Sequence, residues 1–464
     1  MRIKLLLTVI LSSCILATNA QNGNTNKFSL DEAIDYALIN NKLIKNAKLD
    51  ISISNETKKQ SVAQGLPQAD IAMDYINYFN YELEFSFGGG GEQYIPDFSL
   101  FDAGDMEIMN LLSGFMGSSE PSKIILKNSS SAKFQVNQLI YNGQYFVGIQ
   151  TAKLAQKLSH QSLDKTKNDV VELVSVAYYI ILLTEESLKV IDSNLENLQS
   201  TLEKSQAMVS AGILEQTDVD QIKMALSMLK NTKNSIQRGI ELSYNSLRFQ
   251  LGLEPDADFN LTDNLESLIN SADLNKSLLA PFNYENNIDY QLMSTQEELS
   301  KKMVDMERAS YFPSLVGFYS YTEKILRTDF DMNPKNLIGL NLSVPVFSSG
   351  LRNSKLQKAK IQLEKTRESK SMVVDQILLQ EKQFRYNLKN AIDNYILQKE
   401  NMNLAKKVYA NIGHKYDQGI VSSLDLTQAN DNYLNAQNNY MSSMMDVLQS
   451  KLALKKLLNK ITNN

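Results

Sequence analysis

Two acids that follow repeated glycines are the residues whose type and spacing most suggest a chemical role. The segment AMVSAGILEQTDVDQ at 207–221 returns as HKYDQGIVSSLDLTQ at 414–428. When Gly212 is aligned with Gly419, an acid lies six residues after each glycine, at an offset of 207 residues. A carboxylate in such a place can cap a helix, or attract cations where several copies surround an axis.

The two acids, Asp218 and Asp425, fall in the predicted first turn of a helix. Thr217 and Ser423 are the candidate N-cap residues. An acid in a first turn gains about 0.3–1 kcal/mol from the helix dipole. Helix capping is therefore one interpretation of both acids, and a charge that attracts cations around a symmetry axis is the other. The two roles are compatible.

The inventory of catalytic residue types is poor. The sequence has two histidines, His160 and His414, which are far apart, and a single cysteine, Cys14. It has no HExxH or GxSxG motif. The run GGGG at 88–91 lacks the spacing of a phosphate loop. We predict that the protein is not an enzyme and holds no metal or cofactor, and we interpret His414 as a polar surface residue.

The N-terminus has the pattern of an export signal. MRIK is basic, LLLTVILSSCILA is apolar, and TNA provides a small-residue end. The apolar run of about 13 residues is shorter than the roughly 20 needed to span a membrane. We predict a signal peptide at 1–20. In the alternative, LSSC at 11–14 is a lipoprotein box and Cys14 is the lipidated residue.

Charge and composition favour a helical protein that does not bind nucleic acid. The formal net charge is −5, without a basic patch, so nucleic acid is not an expected partner. Only 8 Pro and 19 Gly residues interrupt the 464 residues. A chain with so few breakers favours long helices.

Two proline-free segments, 144–210 and 351–417, are predicted to be continuous helices. A helix of 67 residues is about 100 Å long. Both segments place apolar residues at alternating steps of three and four, the seam of a coiled coil. The seam residues are Leu188, Ile191, Leu195, Leu198 and Leu202 in the first, and Leu388, Ala391, Tyr395, Gln398, Met402, Ala405, Tyr409, Ile412 and Tyr416 in the second.

Shorter helices are predicted at 29–64, 215–252, 284–310 and 422–459, with a connector at 253–283. The first of them begins with a capping box, Ser29 and Glu32. Two shorter helices placed end to end match the length of one long helix. We therefore expect each long helix to be flanked by a stacked pair of shorter ones.

The chain is predicted to be a duplicated half-unit, with repeats at 21–252 and 284–464. The offset of 207 holds from the start of the long helices to the repeated glycines, but it is 246 for Pro67 and Pro313. The difference indicates an insertion of about 39 residues in the first repeat. We interpret this insertion, at 88–121, as a loop.

Between the helices the apolar period changes to two, which predicts strands at about 70–87, 122–140, 314–326 and 336–347. Their faces, one apolar with aromatic residues and one polar, are typical of outer-membrane barrels, and each strand is long enough to cross a bilayer. The apolar parity of the second strand differs from that of its repeat partner, which predicts a one-residue bulge or insertion. Four strands cannot close a barrel, whereas three chains supply twelve.

These features together resemble the TolC family of bacterial outer-membrane efflux channels, over essentially all of the mature sequence. The resemblance is carried by FSLDEAIDYALINNKLI near the start, GLPQADI and YFPSLVG before strands, VPVFSSGLRNSKLQKAK before the second long helix, and the final hairpin beginning YDQGIV. It implies a mainly α fold with a small β part. Long coiled-coil helices would form a periplasmic α-helical tunnel, and four transmembrane strands per chain would complete a 12-stranded barrel in a trimer.

The resemblance also implies a function and its partners. It implies the exit duct of a tripartite efflux or type I secretion system, located in the outer membrane of a Gram-negative cell and extending into the periplasm. The expected partners are two further copies of the chain, a periplasmic adaptor protein, an inner-membrane transporter reached through that adaptor, and outer-membrane lipid. The alternative is a periplasmic coiled-coil adaptor or scaffold protein, a class that lacks two aromatic-rich strand hairpins.

In the family, the helix-hairpin turns lie at the periplasmic end, where polar contacts close the tunnel. Carried over by position, Asp218 matches an acid of the closing network, Tyr416 a tyrosine of that network, and Asp425 the first of two acids that face the lumen. Val421 stands where the family has a basic residue, and Gln428 where it has the second acid. These departures predict a weaker closure.

The hairpin turns are also expected to contact the adaptor. Gly212 and Gly419 are predicted to end the long helices in left-handed backbone geometry. The apolar residues that follow are predicted to be exposed at the turn, where an adaptor covers them: Ile213, Leu214, Ile420 and Val421.

Overall fold

The computed structural model describes residues 26–85, 122–126, 128–270, 273–326 and 334–460. The signal peptide predicted at 1–20, with Cys14, and the whole insertion at 88–121 lie outside these ranges. The chain divides into two compact units. The helical unit comprises the described parts of Met1–Asn55, Lys153–Lys301 and Ile361–Asn464, and the strand unit comprises those of Glu56–Ala152 and Lys302–Lys360.

Helices dominate the described residues, as the sparse Pro and Gly content predicted. In chain order the elements are β1 (Asn26–Phe28), α1 (Leu30–Asn40), α2 (Lys42–Ala63), β2 (Gln68–Ile76), β3 (Tyr81–Phe85), β4 (Ser122–Leu126), β5 (Ser129–Asn142), α3 (Gly143–Ser210), α4 (Gln216–Leu251), β6 (Phe259–Leu261), α5 (Leu265–Asn270), α6 (Asp273–Leu278), a 3-10 turn (Tyr284–Asn286), α7 (Ile288–Ala309), β7 (Ser314–Leu326), β8 (Asn336–Ser343), α8 (Leu351–Asp417) and α9 (Ser423–Leu457).

The apolar seams of α3 and α8 are the sides on which the helical unit packs. Beside the helix hairpins, seam residues join the first turns of α4 and α9 in a compact apolar group, named here the tip cluster. Its buried members are Ile191, Leu198, Ile222, Leu226, Leu229, Tyr416 and Leu426. None of the described helices is long and apolar enough to cross a membrane.

A second apolar core, which includes Phe28, Tyr178 and Phe259, packs the connector against the first long helix. β1 pairs in parallel with β6 of the connector. The hydroxyl of Tyr178, buried on α3, lies 3.0 Å from both the carbonyl oxygen of Phe28 and Oδ2 of Asp263. Asp263 also accepts the backbone N–H of Leu30 at 2.7 Å. The segment at 253–283 is thus a structured part of this core and carries β6, α5 and α6.

Two predicted helices are each divided at an asparagine. The helix predicted at 29–64 ends at Asn40 and restarts at Lys42, and the helix predicted at 284–310 begins only at Ile288 after a 3-10 turn. Asn41 and Asn287 lie at the breaks with extended ψ angles of 136° and 135°. The predicted capping box of Ser29 and Glu32 is confirmed.

Each of these asparagines caps two helices at once. Asn41 Oδ1 accepts the N–H of Leu43 at 2.7 Å, and its Nδ2 donates to the carbonyl of Gln250, near the end of α4, at 2.6 Å. Asn287 likewise accepts the N–H of Asp289 at 2.9 Å and donates to the carbonyl of Leu457, the end of α9, at 3.0 Å. The last carbonyls of a helix lack intrahelical donors, so each amide satisfies one of them. The two asparagines are separated by 246 residues in the sequence, and the two residues whose carbonyls they bind are separated by 207. These are the two offsets found in the sequence repeat.

The strand unit contains a four-stranded antiparallel sheet in the order β2-β5-β7-β8. β2 and β8 form its edges. The continuous strand predicted at 70–87 is wrong: β2 ends at Ile76, and β3 pairs with β4 in a separate two-stranded sheet. The break follows from local geometry, because Phe79 and Asn80 have positive φ angles of 54° and 57°.

The predicted strand at 122–140 is likewise divided, into β4 and β5, and the predicted irregularity is present. Pairing of β5 with β7 shifts between Leu139 and Tyr141, which leaves Ile140 as an extra residue. This bulge reverses the parity of β5 before the glycine that starts α3. β8 ends at Ser343, short of the predicted 347, because Pro345 has no N–H to donate to a strand.

Candidate functional site

The two helix-hairpin turns have the same backbone geometry. Tip 1 is defined here as residues 211–215 and tip 2 as residues 418–422. Gly212 and Gly419 have φ angles of 74° and 73°. In both tips the residue after the glycine donates its N–H to the carbonyl five residues earlier at 2.9 Å, and the glycine donates three residues back. This is the Schellman arrangement, which favours glycine because a side chain is strained at positive φ.

Asp425 caps the helix that leaves tip 2. Its Oδ2 accepts the backbone N–H of Ser422 at 3.0 Å and the hydroxyl of Ser422 at 2.7 Å. Ser422 Oγ in return accepts the N–H of Asp425 at 3.2 Å, so the N-cap is Ser422 and the prediction of Ser423 was one residue late. These hydrogen bonds, the side-chain one first, lower the pKa of Asp425. The exposed carboxylate is therefore held in its charged form.

Asp218 has a second contact in addition to its cap. Its Oδ2 accepts the N–H of Glu215 at 3.3 Å, so the helix begins after Glu215 and not after Thr217. Its Oδ1 accepts the hydroxyl of Ser423, the first residue of α9. That hydroxyl also lies 3.1 Å from Oε1 of Gln221. Ser423 is fully buried, and the contact joins the first turn of α4, which follows tip 1, to the first turn of α9, which follows tip 2.

Tyr416 also joins the two hairpins within the chain. It is only 2% exposed, and its hydroxyl lies 2.7 Å from the hydroxyl of Ser205 on α3. Burial raises the pKa of Tyr416. Next to it, Lys204 of α3 lies 3.2 Å from the carboxylate of Asp417. Within a single chain, the three expected gate residues thus divide into two that hold the hairpins together, Asp218 and Tyr416, and one exposed acid, Asp425.

The apolar tip residues are only partly exposed as predicted. Ile213 and Ile420, directly after the glycines, are 64% and 65% exposed. Leu214 and Val421 instead fold back against the tip cluster, which corrects their predicted exposure. Leu424 is 62% exposed in the first turn of α9 and was missed by the sequence reasoning. Its signal was its place in the helical period, opposite the buried Leu426.

The four-stranded sheet has one apolar face exposed within the single chain. Strand register places Ile71, Phe134 and Tyr321 in one cross-strand row and pairs Tyr319 with Ile338. Leu340 of the edge strand is 70% exposed. The opposite face carries mainly polar residues, and its rows include Asp70, Lys133, Gln135, Ser320, Thr322 and Asn341.

The residue types expected for catalysis are not gathered in the described part of the chain. His160 and His414 are both exposed, on different long helices. Among the described residues no three His, Cys, Asp or Glu side chains are placed to hold a metal ion. The two surfaces that remain are the pair of tips and the apolar sheet face.

Comparison with known proteins agrees with this geometry. Residues 284–460 match the family model of the outer membrane efflux protein. No curated protein sequence gives a significant match. Solved structures give extensive matches, which are described next.

The fold resembles three outer-membrane channels of known structure at low sequence identity. VceC of Vibrio cholerae matches with a TM-score of 0.66 and 14% identity over 93% of this chain and 96% of VceC. CmeC of Campylobacter jejuni matches with a TM-score of 0.69 and 14% identity over 93% of this chain and 85% of CmeC. The open state of MtrE from Neisseria gonorrhoeae matches with a TM-score of 0.68 and 15% identity over 93% of this chain and 88% of MtrE.

These matches confirm the predicted fold class, a mainly α chain with a small β part. The family description agrees with the expected outer-membrane localisation and with a transport role in place of an enzymatic one. The second repeat is thus similar to the outer membrane efflux protein family, and nearly the whole chain has the fold of outer-membrane channels of known structure.

Proposed function

We propose that the chain is one subunit of a trimeric outer-membrane channel, the exit duct of a tripartite efflux or type I secretion system. The observation that carries this proposal is the sheet β2-β5-β7-β8, which has an exposed apolar face and a mainly polar opposite face. Aliphatic and aromatic side chains exposed to water are costly, whereas the same face is stabilised against lipid. Outer-membrane lipid is therefore the proposed neighbour of Ile338, Leu340 and Leu342.

The open edges of the sheet support a trimer. Among the described residues β2 and β8 each pair on one side only, and unpaired backbone groups are not tolerated inside a membrane. Pairing β8 of one copy with β2 of the next would remove every edge, and three copies would supply twelve strands. Closed cyclic symmetry is the usual way in which identical chains complete such a structure.

The helical unit supports the same assembly. α8 exposes apolar residues at intervals of seven, the spacing of one helix face: Met372, Leu379 and Tyr386, then Leu397 and Leu404. α4 exposes Leu242 and Phe249 at the same spacing. These stripes are suited to helix contacts with adjacent copies in a tunnel wall.

The tips are the proposed contact with a periplasmic adaptor, through which the duct works with an inner-membrane transporter. Ile213, Ile420 and Leu424 project from the tips without apolar cover in the single chain. Ile213→Glu together with Ile420→Glu is expected to abolish export while leaving the trimer intact, because the change removes apolar contact area from the tips alone. Leu214→Val, at a half-buried neighbour, is the control that should leave export unchanged.

The gate is proposed to lie at the same place. Asp218 and Tyr416 would fix the two hairpins of each subunit together, and Asp425 would present a negative charge at the mouth. A ring of carboxylates on a symmetry axis favours cations. Asp425→Asn is expected to lower cation preference in planar bilayers, because it removes the charge from each subunit.

The decisive experiment extracts the protein from the outer-membrane fraction in detergent. The proposal predicts a heat-sensitive trimer that conducts ions in planar bilayers. A soluble monomer would contradict it and would favour the alternative, a periplasmic coiled-coil adaptor or scaffold. Export of a substrate should in addition require an adaptor and a pump expressed in the same cell.

A further inference from the structure

The contact between the tips of one chain has a simple donor and acceptor pattern. Ser423 of α9 is the donor, and its hydroxyl lies between Asp218 Oδ1 and Gln221 Oε1 of α4. The two acceptors are three residues apart, so they lie on one face of the first two turns of α4. One buried hydroxyl thus lies within hydrogen-bond distance of two acceptor oxygens on neighbouring turns of α4.

The second repeat contains the same acceptor pair. Asp218 and Gln221 correspond to Asp425 and Gln428 at the offset of 207. Asp218 and Asp425 are both the third residue of a helix that follows a Schellman turn, with glycine φ angles that differ by one degree. The acceptors of α9 are therefore presented at tip 2 as those of α4 are at tip 1.

Within the described residues the second acceptor pair has no donor of the same kind. Asp425 accepts Ser422 through Oδ2 alone, and none of the described residues donates to its Oδ1. Gln428 is exposed, and its Nε2 donates to Asn432 Oδ1 at 3.2 Å. Both acceptor side chains are therefore present, but no donor equivalent to Ser423 faces them within the described part of the chain.

The repeat also identifies the donor that would fill it. Under the same offset Ser423 corresponds to Gln216, the first residue of α4. Gln216 is exposed and carries an amide with two hydrogens, one of which is directed to Asp220 at 3.1 Å. In a ring of alternating tips, tip 2 of one copy faces tip 1 of the next, which brings that amide to Asp425 and Gln428.

We infer that Gln216 of each copy donates its side-chain amide to Asp425 and Gln428 of the adjacent copy, joining neighbouring subunits at the mouth. The inference rests on the proposed trimer. It gives Gln428 a role as an acceptor, where a second acid was expected from the family.

At this boundary the other contacts between the tips of one chain correspond to one apolar pair and one uncharged pair. The pair Ser205–Tyr416 corresponds to Val209 and Ile412. The ion pair Lys204–Asp417 corresponds to Ser210 and Asn411.

Disulfide trapping tests this contact directly, since Cys14 is the only native cysteine. Gln216→Cys combined with Asp425→Cys, oxidised in detergent, should yield covalent dimers and trimers, at least tenfold more than either single variant. Because Asp425 also caps α9, Gln216→Cys with Gln428→Cys provides a second pair that keeps the cap. The matched pair Asp218→Cys and Ser423→Cys should form its disulfide within one chain and migrate as a monomer.

The outcomes separate this inference from the proposed function. Covalent oligomers from the two boundary pairs support it. A trimer in detergent whose boundary pairs stay monomeric on the denaturing gel contradicts the contact alone. A monomeric particle in detergent contradicts both the contact and the proposed function.

Discussion

The hydroxyl of Ser423 donates to Asp218 across the two hairpin tips of a single chain. The contact gives Asp218 two roles at once, since its other carboxylate oxygen accepts the N–H of Glu215 as part of a helix cap. Asp425, its repeat partner, has only the capping role within the chain. Asp218 thus combines its predicted capping role with a contact between the two hairpins of one chain.

Removing the donor should loosen the tips. Ser423→Ala deletes a hydrogen bond to a charged group, a loss of about 1.5–3 kcal/mol, which corresponds to roughly tenfold or more in the population of separated tips. We expect higher single-channel conductance or open probability in planar bilayers. Ser422→Ala is the control, because it removes the cap of α9 and leaves the contact between tips in place. Equal currents from both variants would exclude Ser423 from the closure.

The asparagines that divide the helices should contribute equally in the two repeats. Asn41→Ala and Asn287→Ala each leave a carbonyl at a helix end without its donor, at a cost of about 1–3 kcal/mol. The effects should add, because the two side chains share no partner. Chemical denaturation in detergent measures both. Asn286→Ala, an exposed neighbour, should change stability by less than about 0.5 kcal/mol, and a similar loss there would contradict the capping role.

Acid should weaken one ion cluster of the helical unit. Hydrogen bonding from Lys301, and then from Lys370, lowers the pKa of Glu297 to about 2. A carboxylate whose pKa is lower in the folded chain stabilises the fold. This stabilisation is complete above the pKa of the unfolded chain, 4.5, and is lost as the pH falls through the folded-state pKa of about 2.

The pH dependence is measurable as a difference between variants. Glu297→Gln should be less stable than the native chain at pH 7. The difference in stability between the two, called the gap below, should narrow between pH 4.5 and 2 because the native carboxylate becomes protonated there. Thermal melting across this range checks it. Glu298→Gln, whose exposed side chain lies 3.5 Å from Lys157, is the matched control for removing a carboxylate from the same helix. A constant gap for Glu297→Gln would refute the assignment.

A glycine of the sheet lies against the edge of an aromatic ring. A Cβ at Gly339 would lie 2.6 Å from Cζ of Phe318 on the neighbouring strand. Gly339→Ala should therefore cost about 1–3 kcal/mol through overpacking. Phe318→Leu in the same chain should restore most of the loss, as measured by the melting temperature in detergent. A double variant no better than Gly339→Ala would show that the ring is not the cause.

Periodicity gave reliable predictions where one spacing persists for many residues. The long helices follow from 67 residues without proline and from seams such as Leu198 and Tyr416 that are buried. The bulge at Ile140 was predictable because a single extra residue reverses the parity of a strand. Patterns of this kind are local and repeat often enough to be recognised.

Features set by one residue or by a distant partner were not predictable. Nothing in the apolar period shows that Asn41 leaves the helix to reach Gln250, over 200 residues away. The break after β2 depends on positive φ at Phe79, a residue type with no preference for it. At the tips, the sequence predicted the glycine geometry and the acids, but Ser423, the donor, was interpreted only as a cap.

The measurement that tests the central claim most directly compares two adjacent residues of β8, which point to opposite faces of the sheet. Leu340 lies in the exposed apolar face, and Asn341 lies in the opposite face. Arginine on a lipid-facing strand position costs about 2–4 kcal/mol near the bilayer midplane. If the sheet is part of a transmembrane barrel, Leu340→Arg should sharply reduce the outer-membrane trimer, while Asn341→Arg should assemble normally and shift ion selectivity toward anions. Equal assembly of the two variants would contradict a membrane-spanning sheet.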